Sequence, residues 1–276
     1  MRYLAVLAFL FLSMPVFAGD QYTFRISYGH GVESAQAGKV FAAGASYRVE
    51  LDPKDGEIPL YPVVVSTDGG EHETAIDPAR RFYYSLKHEA NPTSSLFTLF
   101  PIRPLSQTVT NVQFAVVEEP APEPVSGLKT REYEIRLSYD TKVKISKSET
   151  VPGKVSLQAR YWMADREVAV PVRLRPALRS GIPEIDSRLS GALAKLRGLP
   201  VKQEVTITAE SPGNEPRKSI TTRTISNLHT AAAKPGQFAV PKGFQYHEPV
   251  LSRPGLPADL PGLGGPVTVT TPPPGD

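Results

Sequence analysis

Period-two alternation of apolar and polar residues dominates the chain. Tyr22, Phe24, Ile26 and Tyr28 alternate with Thr23, Arg25 and Ser27. Tyr47, Val49 and Leu51 alternate with Arg48 and Glu50. Tyr133, Ile135, Leu137 and Tyr139 alternate with Glu134, Arg136 and Ser138, and Val155, Leu157, Ala159 and Tyr161 with Ser156, Gln158 and Arg160. Successive strand residues face opposite sides, so each stretch predicts a strand with one wet and one dry face. Antiparallel sheets produce this pattern, whereas buried parallel sheets read as continuous apolar runs.

Turn residues separate the strands. Ala43-Gly44 lies between Lys39–Phe41 and Tyr47–Leu51, Asp68-Gly69-Gly70 between Pro62–Ser66 and Thr74–Ile76, and Pro212-Gly213-Asn214 between Val201–Thr208 and Lys218–Ser226. Glycine supplies the positive φ that tight hairpins need. One segment reads as helix, from Ile182-Pro183 to Gly198. Pro183 suits its first turn, Glu184 and Asp186 its positive end, and Gly198 its C-terminal cap. Ile185, Leu189, Ala192, Leu193 and Leu196 make an apolar stripe that must be buried against the sheet. A second, weaker helical stretch is expected over 94–100. The predicted fold class is mainly β: one curved antiparallel sheet, a sandwich or a barrel, covered by one or two helices.

The ends carry different signals. Arg2, the apolar run Leu4–Leu12 and Val16-Phe17-Ala18 read as a secretory signal over 1–18, cut near Ala18. The run is too short to span a bilayer, and no later stretch reaches spanning length, so no stable membrane span is expected. Residues 19–248 read as the antiparallel β domain, with a Pro-rich crossover at 118–126 (Pro120, Pro122, Pro124). From Pro249 to Asp276 proline and glycine recur without apolar period, which predicts a disordered tail. The chain has no cysteine, so it has neither a lipidation cysteine nor a disulfide. These features place the mature protein in the periplasm.

Composition narrows the chemistry. The formal net charge is +3, with Lys and Arg dispersed among Asp and Glu. No basic stripe with interleaved aromatics occurs, so nucleic acid is not an expected partner. No nucleophile elbow and no reactive cysteine occur, and the five histidines are scattered. Glu71-His72-Glu73 would point to opposite faces if it lay on a strand, and His30 and Glu33 sit in a Gly-flanked stretch. No catalytic set, metal or cofactor is therefore expected, and the chain reads as non-enzymatic.

The apolar faces hold many tyrosines, whose polar tips suit a partly wet groove as well as a core with emergent hydroxyls. The candidate ligand face comprises Tyr22, Phe24, Tyr47, Tyr84, Tyr133, Leu137, Tyr139, Tyr161, Leu189 and Leu193. Groove and filled core both remain open at this stage.

Several phrases carry a resemblance. Gly38-Lys39-Val40-Phe41 through Arg48-Val49-Glu50 forms one hairpin phrase. Val63–Gly70 with Thr74-Ala75-Ile76-Asp77-Pro78 and Phe82-Tyr83-Tyr84 forms a second, and Gly198–Lys202 with Phe238-Ala239-Val240-Pro241-Lys242-Gly243-Phe244 a closing pair. In this order they resemble the LolA-like superfamily of periplasmic lipoprotein carriers and their uncharacterised exported relatives. The resemblance implies an antiparallel half-barrel with helices over its concave side and a site for acyl chains. The Pro120–Pro124 insert, the Asp140–Lys154 connection and the Pro-rich tail depart from that pattern. A lipid or lipoprotein ligand is one expectation. Docking of an envelope protein to the sheet edge or tail is the alternative.

Overall fold

A computed structural model describes residues 18–29, 33–53, 62–86, 106–120, 123–144, 146–234 and 236–248. Residues 1–17 of the expected signal, the stretch 94–100, His30 and the tail from Pro249 lie outside them, while Ala18 opens β1. Strands β1 (Ala18–Gly29), β2 (Glu33–Ala43), β3 (Ser46–Leu51), β4 (Val63–Ser66), β5 (Glu73–Asp77) and β6 (Phe82–Leu86) form one meander. Strands β7 (Ser106–Pro120), β8 (Thr130–Lys144), β9 (Thr150–Ala164), β10 (Leu199–Glu210) and β11 (Arg217–Ala232) form another. They join into one 12-stranded sheet in the order β12-β6-β5-β4-β3-β2-β1-β11-β10-β9-β8-β7, where β12 is Gln245–Tyr246. The sheet is open and curved. Every pairing is antiparallel except that of β12 with β6.

The strand that starts the first meander pairs with the strand that ends the second. Ala18 stands opposite Ala232 and Gly29 opposite Ile220, with a register shift between Gln21 and Thr23. This pairing makes one face continuous across both meanders. We call the face that carries the helix the inner face.

Helix α1 (Pro183–Leu193) starts with Pro183 in its first turn, as expected. It ends at Leu193, short of the expected Gly198, and the chain passes through turns at 194–197 before β10. Ile185, Leu189 and Ala192 are buried, while Leu193 and Leu196 are partly so. Asp186 accepts the backbone N–H of Ser180 and of Gly181 (3.1 Å), which ties the chain entering α1 to its first turn. The stripe shares a core with Ile135, Leu137, Leu157 and Ala159 of β8 and β9.

The 165–182 segment links β9 to α1 and includes a 3-10 turn, Val172–Leu174. This strap lies over a second core: Tyr22, Phe24 and Ile26 of β1 with Val40, Val49, Val64 and Leu174. A third core lies on the outer face. There Val63, Val65 and Ile76 pack with Tyr83, Val240 and Phe244, so β4 is buried on both sides.

Several sequence expectations change. Phe238–Phe244 forms turns rather than a closing strand, and only Gln245–Tyr246 pairs with the sheet. The stretch Asp140–Lys154 is mostly paired strand, with Lys144 opposite Thr150 across a short turn. Alternating residues at 140–144 and 150–154 were polar enough to hide that pairing. Residues 118–120 of the crossover belong to β7, and residues 123–129 return over the outer face, where Ser126 Oγ donates to the Ile225 carbonyl at 2.6 Å.

Two glycines separate conformation from space. Gly44 and Gly198 both have positive φ, at 56° and 89°. A Cβ at Gly44 would meet nothing within 4 Å, whereas one at Gly198 would lie 2.0 Å from the Ala164 carbonyl oxygen. Gly44→Ala should cost about 1 kcal/mol and Gly198→Ala clearly more, with Leu189→Ala at about 3 kcal/mol. Urea denaturation of the purified variants reads these values.

Candidate functional site

The candidate ligand residues fall on one face but divide between the two inner cores. Tyr133, Leu137, Tyr139 and Tyr161 of the sheet share one buried core with Leu189 of α1, and Leu193 of the same helix packs at its margin. Tyr22, Phe24 and Tyr47 are buried under the strap. Tyr84 is half-buried on β6, its ring 6.4 Å from that of His247. The inner face is thus packed by α1 and the strap in this conformation.

Polar atoms are embedded in that packing. The Tyr47 hydroxyl donates to Glu73, whose side chain is only 2% exposed. Burial and the neighbouring carboxylate together push the Tyr47 hydroxyl far above its ordinary pKa. The strap is held by side chains from the sheet. Gln203 Nε2 donates to the Leu174 carbonyl at 2.7 Å, and Arg223 donates to the Arg175 carbonyl at 3.1 Å. Arg175 in turn donates to the carbonyls of Val170 (2.9 Å) and Gly69, and Arg166 pairs with Asp20. These bonds satisfy backbone groups that no neighbouring strand can reach.

Other polar atoms find nothing. The hydroxyls of Tyr139 and Tyr161 and the Nε atoms of Arg173 and Arg223 are buried without a hydrogen-bond partner among the described residues. Burial raises the pKa of both tyrosines, the nearby Arg223 charge opposing it at Tyr161. Burial also lowers that of the Arg173 guanidinium, opposed chiefly by Glu73.

Sequence reasoning missed Gln203, Arg173 and Arg223. Gln203 carried a signal: it occupies the apolar phase of Val201, Val205, Ile207 and Ala209. Arg223 carried none, because β11 alternates weakly and its Ile220 is 40% exposed.

The outer face has a cavity of about 260 Å³ between Glu123, Val125, Glu132, Arg160, Trp162 and Lys202. Trp162 is nearly buried there, with the Arg160 guanidinium 4.9 Å and the Lys202 ammonium 4.5 Å from its ring centre. Arg160 is paired with Glu132 at 2.6 Å and Lys202 with Glu204 at 2.8 Å, so both cations are already matched.

The Glu71–Glu73 stretch departs from its strand reading. Glu71 and His72 lie in the turn before β5, and with Asp68 they gather ligand atoms within 4.8 Å of one another. Asp68 accepts from the His72 backbone at 3.0 Å and meets the His72 ring at 2.6 Å, which holds its carboxyl well below the usual range. Glu73 instead turns inward to Tyr47. The group sits at a turn where Glu71 and His72 are exposed and Asp68 and His72 are bonded to each other.

No protein-family model and no curated protein matches this chain. Among solved structures, a LolA superfamily protein from Nitrosomonas europaea is similar, 9% identical over 82% of this chain and 91% of that one, with a TM-score of 0.31. A DUF1329 family protein from Desulfovibrio piger is similar at 14% identity over 81% and 90% of the two chains, with a TM-score of 0.28. The first bears the superfamily name that the hairpin phrases resemble. At these scores the likeness says nothing of function.

The buried hydroxyls divide by partner. Tyr47→Phe leaves the Glu73 carboxylate short of a donor and should destabilise the protein by about 1–3 kcal/mol. Tyr161→Phe removes an unmatched group and should leave stability unchanged or raise it by up to about 1 kcal/mol. Paired thermal and urea melts of the two variants check the contrast.

Proposed function

We propose that the chain is an exported, non-enzymatic carrier or sensor that takes the acyl chains of lipids or lipoproteins on its inner face. Three features support this reading. One largely apolar face continues across both meanders through the pairing of β1 with β11. It is closed by one 11-residue helix and an irregular strap rather than by a second sheet. Beneath that cover lie two tyrosine hydroxyls with no partner among the described residues.

The last observation carries most weight. A buried hydroxyl without a partner costs about 1–3 kcal/mol. Lifting α1 and the strap would hydrate both hydroxyls and offset part of the apolar surface that opening exposes. An acyl chain entering in place of the helix stripe would recover about 0.8 kcal/mol per buried methylene. Helix α1 suits such movement: its N-cap residue makes no side-chain cap, and it joins the irregular strap at one end and the 194–197 turns at the other.

The test is native mass spectrometry of exported, detergent-free protein, followed by lipid extraction. The expected result is co-purified acyl lipid at one per chain, displaced by added fatty acid. An apo mass that stays unchanged after incubation with acyl lipids would sink the reading.

Terminal strand β7 supports a second reading, that of an envelope interaction protein. It is 15 residues long, forms one end of the sheet order, and Val116 upon it is 37% exposed. Unpaired backbone groups on such an edge can accept a partner strand. Replacing Ala115 by proline should abolish capture of a strand-donating partner, and retained capture would rule the edge out.

A further inference from the structure

A row of side chains crosses β9, β10 and β11 in register. Tyr161 stands opposite Gln203, Gln203 opposite Arg223, and Arg223 opposite Ile26 of β1. Opposed side chains on one face lie about 5 Å apart at Cβ, so three polar groups are contiguous in the middle of an apolar surface. The strap lies directly over them. Gln203 spends its amide N–H on the Leu174 carbonyl, and one terminal nitrogen of Arg223 reaches the Arg175 carbonyl.

Donors remain after those bonds. The Tyr161 side chain is fully buried, yet its hydroxyl has no partner among the described residues. The Nε of Arg223 is in the same condition, as is the Nε of Arg173, the residue just before Leu174 on the strap. A guanidinium stays charged and offers only donors, so it can be matched only by an acceptor. Glu73 is the carboxylate that acts on Arg173, and it already accepts the Tyr47 hydroxyl. Arg223 has no carboxylate partner among its hydrogen bonds, which go to a carbonyl and to Gln203 Oε1. Glu73 thus serves both Tyr47 and Arg173, while Arg223 pairs with a carbonyl and an amide oxygen. Both side chains are partly exposed, Arg223 at the point where it meets the strap, but each keeps a buried Nε–H without an acceptor, and such a donor on a cation calls for an anion.

We infer that Tyr161, Arg173 and Arg223 form a binding site for the anionic group of a ligand, a phosphate or a carboxylate, on the inner face beneath the strap. The inference rests on the proposed acyl-chain reading and deepens it. The acyl chain lies on the apolar surface beside the row, and the headgroup accepts from Arg223, Arg173 and the tyrosine hydroxyl. Charged, bidentate-capable donors favour phosphate and carboxylate oxygens over neutral acceptors. The same donors would serve a lipid headgroup or a free oxyanion.

The experiment titrates the full mature protein with three probes under calorimetry: short-chain phosphatidylglycerol, phosphatidylcholine of the same acyl length, both below micelle formation, and inorganic phosphate. The expected result is tighter binding of phosphatidylglycerol than of phosphatidylcholine. Arg173→Gln and Arg223→Gln should each weaken the anionic lipid roughly tenfold and leave phosphatidylcholine unchanged. Tyr161→Phe should weaken the anionic lipid by a smaller factor without lowering the melting temperature. Phosphate binding that is lost in Arg173→Gln and Arg223→Gln would support the site and identify a soluble oxyanion as its ligand. Equal affinity for the two lipids in the wild-type chain, with no phosphate binding, would overturn the anion site while leaving the acyl-chain reading intact. Absence of binding by all three would overturn both. The wild-type comparison keeps the test decisive even where a variant fails to fold.

Discussion

The pairing of β1 with β11 is the contact on which the rest of the architecture depends. Each meander is built from local hairpins, and each alone would leave two long edges and half an apolar face. The backbone ladder from Ala18–Ala232 to Gly29–Ile220 removes one edge from each. It also aligns their alternation, because cross-strand partners share a face. Phe24 and Ile26 thereby continue the surface begun by Tyr161, Leu157 and Val205. Ile26 and Arg223 become neighbours only through this ladder.

A sheet with one long apolar face needs a cover, and the chain supplies two of different kinds. Helix α1 satisfies its own backbone, so it can lie on apolar side chains with its stripe alone. The strap cannot, because irregular backbone leaves carbonyls that need donors. That need explains why Gln203 and Arg223 sit inside an otherwise apolar row. Their bonds to Leu174 and Arg175, with Arg175 reaching the 68–70 turn, stitch the second meander across the first. Fixing the strap this way places guanidinium groups where burial leaves some of their N–H donors unmatched. Arg223 does both: one of its nitrogens holds the cover while its Nε is left over.

The outer face follows ordinary rules. Ladders such as Glu132–Arg160 and Glu134–Gln158 run across β8 and β9 in water. Trp162 needs the returning 123–129 segment and two cations to cover it. The 236–244 turns do the same for Val63, Val65 and Ile76. Tyr139 and Trp162 are both buried yet lie on opposite faces, a distinction that follows from strand register.

Much of the fold was legible along the chain. Alternation identified the faces of β1, β3, β8 and β9, because a half-wet antiparallel strand imposes period two on its residues. Glycine and proline positions located the hairpins and the start of α1, since both act through local backbone geometry. What local pattern cannot carry is which distant strands meet. Gln203 broke an apolar phase visibly, but Arg223 lay in a strand whose Ile220 faces outward, so hydropathy gave no hint of its side. The meeting of Tyr161, Gln203 and Arg223 under the strap depends on pairings between residues far apart in the chain. Only the tertiary structure sets those registers, because they are chosen by the joint burial of all the faces at once.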